Sequence, residues 1–299
     1  MLSSRPGARV GEVVAVKNLA PLGSQCSPEE MRQLRPMLVT TLALSLLCGA
    51  SAFAWGSVAF ATPSDRTRGP GARALSHASR STGFPWDGRL RRGVLLHESA
   101  NLRYTTEYRA GGNFWGIWEL VQLLERAAYR VNQRMPGAKL SVGELSQERG
   151  GRVPGHASHR SGRDADIAFY MLDARDQPYE PFGFAAFGAN GQGRGVNSNL
   201  HFDDARNWEL VAKLVADGDA RVQYIFVSNA LEQRVLREGR RRHASAAILN
   251  RAEAVLIQPS GANRHENHFH VRVYCPPASR PACRDRAPFH AWYPGRPPR

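Results

Sequence analysis

Two short histidine-rich segments constrain this chain more than any other feature of its sequence. Residues 155–166 read Gly-His-Ala-Ser-His-Arg-Ser-Gly-Arg-Asp-Ala-Asp, and residues 265–274 read His-Glu-Asn-His-Phe-His-Val-Arg-Val-Tyr. Together they contain five of the ten histidines in the chain. We interpret the two segments as halves of one metal site, and the rest of the chain as the scaffold that brings them together.

The second segment alternates like a strand with one apolar face. Three apolar side chains point one way and three polar ones the other: Phe269, Val271 and Val273 against His268, His270 and Arg272. In the first segment a turn at Gly162 separates His159 from Asp166, so the two side chains can converge. Histidine nitrogens and a carboxylate oxygen suit zinc, which in catalytic sites takes three protein ligands and leaves a position for water. Unrelated surface histidines, the alternative, do not account for two tight motifs with strand-compatible spacing.

The net charge of +14 favours anionic partners such as nucleic acid, an anionic membrane or an acidic cell-wall polymer. The sequence contains no recognised nucleic-acid-binding motif, and its aromatic residues are not interleaved with its arginines. We therefore expect no nucleic-acid partner.

The N-terminal part of the chain is typical of an exported protein. Arg32 and Arg35 precede an uncharged apolar run, residues 37–61, which would serve either as a cleaved signal peptide or as a retained membrane anchor. We divide the chain into an N-terminal extension with this segment, residues 1–61, a linker rich in Pro, Gly, Ser, Thr and Arg, residues 62–83, and a folded domain, residues 84–299. A membrane contact is expected only through the anchor.

The folded domain mixes helix and strand signals along its length. Helices are predicted over 113–133 with Asn113 as N-cap, over 203–216, after Ser228, and over 244–256. Strands are predicted over 92–96, 139–145, 164–171, 222–227 and 268–273. This order predicts an α+β fold, with a small, mostly antiparallel sheet and flanking helices that carry a single zinc site. A glycine-rich surface loop over 182–195 could shape a substrate groove.

Two further features lie towards the C-terminus. Cys275 and Cys283 predict a small disulfide loop in an exported protein, followed by a Pro- and Arg-rich tail, with two separate buried thiols as the alternative. Four arginines form a basic cluster that is either a solvated helix face or a contact for an anionic polymer: Arg237, Arg240, Arg241 and Arg242.

The spacing of the two histidine segments resembles that of the penicillin-insensitive murein endopeptidases. That family belongs with the lysostaphin, D-Ala-D-Ala peptidase and hedgehog metallopeptidases, which share His-x6-Asp followed far downstream by His-x-His. His159 and Asp166 meet the first spacing, and His268 with His270 meets the second. The resemblance covers roughly residues 84–285 and is carried by the pattern His156-x-x-His159-x-x-Gly162-x-Asp164-x-Asp166 with His265-x-x-His268-x-His270.

The resemblance implies a role for each residue of the pattern. His159, Asp166 and His270 would bind zinc, and water activated by the metal would attack an amide carbonyl. His268 would be the general base or would steady the oxyanion, and His265 resembles a second catalytic histidine.

Two residues of the first segment each have two alternative roles. In the family, the histidine that matches His156 can join a second metal site with a downstream Asp-x-x-His, a spacing that is absent here. We expect one zinc ion and regard a second as doubtful. His156 and Asp164 are then either residues that orient the ligands and the substrate or members of a second metal site.

The resemblance implies an exported zinc metallopeptidase of the periplasm or cell envelope. It would cut D-alanyl-meso-diaminopimelyl cross-links between peptidoglycan stem peptides and be insensitive to penicillin, because its chemistry uses no acylated serine. Two alternatives stay open: a D,D- or L,D-carboxypeptidase of the same superfamily, and a catalytically idle wall-binding regulator. A carboxypeptidase would differ from an endopeptidase in whether the substrate groove is open at both ends. A catalytically idle regulator is disfavoured because every expected zinc-ligand position holds a residue that can bind zinc.

Overall fold

The computed structural model describes residues 78–261 and 263–295. The N-terminal extension with its signal or anchor segment lies outside the described residues, as does most of the linker. Within the described part of the chain, no helix combines the length and hydropathy needed to cross a membrane.

A six-stranded mixed sheet lies at the centre of the described domain. Its strands, in spatial order, are β12 (Leu256–Ile257), β11 (Val222–Phe226), β13 (His268–Val273), β7 (Asp164–Ala168), β6 (Leu140–Val142) and β4 (Leu102–Tyr104). Three of its pairings are antiparallel, and the β11–β12 and β4–β6 pairings are parallel. The predicted α+β class is confirmed, but the sheet is not small. Its outer strands have only two or three residues, too few to give a periodic signal.

Short strands outside the central sheet form three smaller sheets. They are the hairpin β1 (Arg80–Phe84) with β2 (Asp87–Arg91), the pair β3 (Val94–Leu95) with β5 (Trp115–Gly116), and the group β8 (Met171–Leu172), β9 (Pro178–Tyr179) and β10 (His201–Phe202). The hairpin is hydrogen-bonded to the chain around the first histidine segment. Arg160 donates its N–H to the Pro85 carbonyl (3.0 Å), and Leu90 donates to the Arg149 carbonyl (3.1 Å).

Five α-helices of the described residues accompany the sheets: α1 (Thr106–Arg109), α2 (Trp118–Arg134), α3 (Asp204–Ala216), α4 (Asn229–Arg241) and α5 (Ala246–Val255). The inward residues of α2, among them Leu120, Leu124 and Val131, belong to the same buried core as the apolar side chains of β13. Since side chains alternate along a strand, this packing leaves the histidine face of β13 on the opposite side of the sheet.

Helix α2 begins five residues later than the sequence predicts. Trp115 and Gly116 pair with β3 instead, and Ile117 donates its N–H to the Gly162 carbonyl (2.9 Å). Asn113, predicted as the N-cap, donates its side-chain N–H to Glu144. Long-range strand pairing therefore outweighs the helical periodicity at this end. The helix predicted over 203–216 is present as α3, and the structure shows that Asp203 caps it, because its carboxylate accepts the Arg206 N–H at 3.0 Å.

The C-terminal segment is held against the central sheet by a disulfide and a buried ion pair. Cys275 and Cys283 are joined in the structure. Asp285, just beyond, accepts the Cys275 N–H (3.1 Å) and a bond from the fully buried Arg163 guanidinium (2.7 Å). Arg163 also donates to the carbonyls of Val273 (3.0 Å) and Arg284 (2.9 Å). A buried charge needs such partners to offset its desolvation.

Asp217, at the C-terminal end of α3, links that helix to α2. It accepts two hydrogen bonds from Arg126 (2.8 and 2.9 Å) and the N–H groups of Asp219 and Ala220. Burial opposes ionisation of Asp217, but the hydrogen bonds and charge of Arg126, together with the N–H groups of Ala220 and Asp219, outweigh burial and lower the pKa of Asp217 below its ordinary value. The folded state therefore stabilises the carboxylate.

We predict that Asp217→Asn lowers the free energy of unfolding by about 1–3 kcal/mol at pH 7, because it removes a charge-assisted pair. Because the pKa of Asp217 is lower in the folded state, its carboxylate stabilises the fold above the unfolded-state pKa of about 3.9, and this stabilisation is lost as the pH falls further. The difference in unfolding free energy between the wild type and Asp217→Asn should therefore narrow below about pH 4. Urea unfolding at pH 7 and pH 3 measures this. Asp219→Asn is the control, since that side chain is exposed and 3.6 Å from Arg126. Equal losses in both variants would contradict the prediction.

Candidate metal centre

The centre is organised by the antiparallel pairing of β13 with β7. In this register His270 lies opposite Asp166, and Arg272 lies opposite Asp164. Directly opposed residues of an antiparallel pair project to the same face of the sheet with their Cβ atoms about 5 Å apart. The two histidine segments are thus brought together by the backbone itself.

His159 reaches this face from the loop before β7. Its backbone is in the left-handed region, with φ of +65°, which is uncommon for a residue other than glycine. The His159 N–H donates to Asp164 Oδ2 (3.2 Å), and the ring Nδ1 lies 2.6 Å from the Leu145 carbonyl. Because a carbonyl only accepts, Nδ1 carries a proton, so in the neutral ring the lone pair of Nε2 faces the centre.

Three donor atoms converge at distances that suit a small metal ion. His159 Nε2 is 3.2 Å from Asp166 Oδ2 and 3.3 Å from His270 Nδ1, and His270 Nδ1 is 2.8 Å from Asp166 Oδ1. A tetrahedral ion with bonds of about 2.0–2.1 Å separates its ligand atoms by about 3.3 Å. The three residues are therefore arranged as a ligand set.

The surroundings of Asp166 also fit a cation. Both of its oxygens are buried, and neither accepts a well-directed hydrogen bond from the described residues. Burial opposes its ionisation, but nearby His159, His268 and His270 hold the pKa of Asp166 well below the ordinary value. An ionised, buried carboxylate without donors is costly, and a bound cation would remove that cost.

The other two histidines of the second segment lie beside this set. The possible ligand atoms of His265, His268 and His270 all lie within 4.8 Å of one another. His268 Nε2 is 3.5 Å from Asp166 Oδ1, while its Nδ1 lies 2.8 Å from the Asn267 side-chain oxygen. Burial is the main cause that lowers the pKa of His265 to about 4, and the neighbouring His268 and His270 lower it further within that total. The His265 ring is therefore neutral at pH 7.

His156 faces the same centre and is held by a carboxylate. Its Nδ1 is 3.3 Å from Asp166 Oδ2, and its Nε2 is 2.7 Å from Glu144, which also accepts the Asn113 amide at 2.8 Å. Glu144 keeps the proton on Nε2 and so leaves the Nδ1 lone pair aimed at the centre. His156, His159 and Asp166 offer ligand atoms within 4.8 Å of one another.

Asp164 has a different environment from Asp166. It accepts hydrogen bonds from Arg272 Nε (2.6 Å) and the His159 N–H (3.2 Å), and it lies 3.1 Å from His270 Nε2. Burial opposes ionisation of Asp164, but Arg272 and His270 hold its pKa far below the ordinary value. Asp164 therefore orients two of the converging side chains and belongs to neither donor group of the described residues.

Several neighbours of the centre carried no signal in the sequence. Glu144 lies two residues after the end of β6, yet no spacing links it to His156. Phe184 stacks on His268 with ring centroids 4.6 Å apart, and Phe226 stacks on His270 at 5.1 Å. Phe184 lies in the glycine-rich loop predicted to shape a groove, which was the one available indication.

The basic cluster on α4 is largely paired within the protein. Arg241 and Arg242 form ion pairs with Glu238, and Arg240 pairs with Glu253. This pairing favours the solvated-face interpretation over a contact for an anionic polymer.

Comparison with known proteins shows which proteins this chain resembles. The model of a family described as penicillin-insensitive murein endopeptidase matches residues 83–292. A protein of that name from Haemophilus influenzae is 32% identical over 189 residues, which are 60% of this chain and 57% of the relative. One from Klebsiella pneumoniae is 29% identical over 179 residues, 58% of this chain and 59% of the relative. The chain thus spans less than two thirds of the length of these relatives.

We predict that Glu144→Gln weakens zinc binding by about 10–100-fold, because an amide holds the His156 proton less well than a carboxylate. Competition with a chromogenic chelator measures the affinity without any substrate. Glu148→Gln, at an exposed residue of the following loop, is the matched control. Equal zinc affinities for the two variants would contradict the role assigned to Glu144.

Proposed function

This chain belongs to the penicillin-insensitive murein endopeptidase family, and we propose that it is a zinc-dependent peptidase that hydrolyses peptide cross-links in peptidoglycan. The observation that carries the proposal is the convergence of His159 Nε2, His270 Nδ1 and the Asp166 carboxylate at 2.8–3.3 Å. The names of the matched relatives support the substrate class.

His159, Asp166 and His270 would hold the zinc ion, with His156 turned towards the same position. Two or three imidazoles with one carboxylate suit zinc, a borderline-soft ion. When bound, the ion would polarise the scissile carbonyl and lower the pKa of a water to about 7.

We propose that His268 moves the proton. The Asn267 oxygen holds the proton of His268 on Nδ1, so Nε2 is free to accept one from the attacking water and to pass it to the amine that leaves. His265, with its ring centroid 5.4 Å from that of His268, is neutral at pH 7 and can donate a hydrogen bond to the oxyanion that forms. We assign these two residues to catalysis and not to metal binding.

The resemblance further points to the D-alanyl-meso-diaminopimelyl bond as the cross-link that is cut. Stem peptides carry carboxylates, and a chain of net charge +14 would accumulate on such a polymer. Penicillin acylates a serine nucleophile, whereas the proposed chemistry uses histidines and a carboxylate. We place the protein in the periplasm or cell envelope, where its disulfide would persist.

We expect the purified full chain to convert cross-linked muropeptide dimers into monomers. Chelator should abolish the reaction, and added zinc should restore it, with product separation by chromatography as the measurement. Penicillin should have no effect. Loss of terminal D-alanine from dimers that stay joined would overturn the endopeptidase assignment in favour of a carboxypeptidase. Zinc-loaded chain without any hydrolysis would favour a wall-binding regulator.

Ligand and proton-transfer roles can be separated by substitution. His270→Ala and Asp166→Ala should lose both zinc and activity. His268→Ala should keep zinc and lose activity by about 10²–10⁴-fold, the usual contribution of a general base. Metal content and dimer hydrolysis are measured on the same preparations, with exposed His97→Ala as control. If His268→Ala loses zinc as readily as His270→Ala, the division of roles is wrong.

A further inference from the structure

A cavity of about 520 Å³ lies next to the metal centre on the same face of the sheet. We name it the arginine pocket and define it by the six lining residues that carry the argument: Trp86, Tyr224, Phe226, Arg272, Asp285 and Arg286. Its walls combine aromatic rings with the side chains of three arginines, because Arg163 also lines the cavity. Sites for small polar ligands have this makeup, with a few placed polar groups among aromatic side chains.

The pocket is continuous with the metal centre through two strands. Tyr224 and Phe226 of β11 lie opposite Arg272 and His270 of β13. Phe226 stacks on His270 on one side and lines the pocket on the other. A substrate bound at the metal centre would therefore extend directly into the pocket.

The charges in the pocket favour an anionic group. Asp285 is engaged by Arg163, Arg280 and the Cys275 N–H, so it does not neutralise the pocket arginines. Arg272 binds Asp164 through Nε. The exposed Arg286 guanidinium has no carboxylate within 4.0 Å among residues 78–261 and 263–295. It lies 5.0 Å from the ring centroids of both Phe84 and Trp86.

The wall that carries Arg286 is held in place by two side chains of β11. Its carbonyl accepts a hydrogen bond from Gln223 (2.6 Å), and the next carbonyl, of Ala287, accepts one from Tyr224 (3.0 Å). Stacking on aromatic rings orients a guanidinium and leaves its N–H edge available for a planar carboxylate. A side chain ordered in advance loses less entropy on binding.

We propose that the arginine pocket binds a free carboxylate of the stem peptide beside the scissile bond, with Arg286 as a residue that determines specificity. A carboxylate is the expected ligand because the Arg286 guanidinium has no ion-pair partner among the described residues. The stem peptide is the expected source because the pocket adjoins the metal centre. This proposal rests on the proposed function, because it takes the peptidoglycan stem as the substrate.

Calorimetric binding of an uncross-linked stem tetrapeptide to the zinc-loaded full chain tests the pocket. The peptide is compared with one that is amidated at every carboxylate except the C-terminal one, which keeps any contact of that end with the metal centre constant. The wild type should bind the free form about tenfold more tightly than the amidated form. Arg286→Gln should remove this preference and leave the affinity for the amidated form unchanged.

Arg284→Gln is the matched control, since Arg284 belongs to the same segment but does not line the pocket. It should keep the tenfold preference. A wild type that does not discriminate between the peptides, or an Arg286→Gln variant that discriminates as the wild type does, would overturn the proposal. The peptide has no cross-link, so the result is independent of hydrolysis, and a failure of the endopeptidase assay would not be mistaken for a failure of the pocket.

Discussion

The antiparallel pairing of β7 with β13 is the interaction on which the rest of this structure depends. It sets Asp166 opposite His270 and Asp164 opposite Arg272, on the face opposite the one that carries Phe269, Val271 and Val273 into the core. A slip of one residue would send one strand's polar side chains to the core face. The buried Phe269, Val271 and Val273 on the other face make such a slip costly, so the hydrophobic core holds the metal centre in register.

Buried charges link the metal centre, the C-terminal segment and the arginine pocket. Asp164 joins Arg272 to His270, and Asp285 joins Arg163 to the disulfide loop. Each charged group in this network has partners, which offsets its desolvation. Asp166 differs because its oxygens face ring nitrogens only. This contrast between two aspartates separated by one residue supports the proposal that Asp164 orients its neighbours and that Asp166 binds the metal.

Residues with a local pattern were predictable, and residues brought in from afar were not. The strand at 268–273 follows from its alternation, and helix α3 follows from its amphipathic pattern. The predicted start of α2 was wrong because Trp115 and Gly116 pair with β3, which lies about twenty residues earlier in the chain. The predicted sheet was too small because the outer strands have too few residues to show the alternation of a strand. The contact of Glu144 with His156 could not be predicted, because a loop separates the two residues in the sequence.

The sequence by itself determined which side chains share a face, since alternation with a period of two is written into any strand. It also determined the family, through the spacing of its two histidine segments. Only the tertiary structure decided which carboxylate binds arginine and which faces the histidines. It alone placed Phe226 between the metal centre and the arginine pocket. Such neighbours are set by burial of a common core, which brings distant segments into contact without leaving any local period in the sequence.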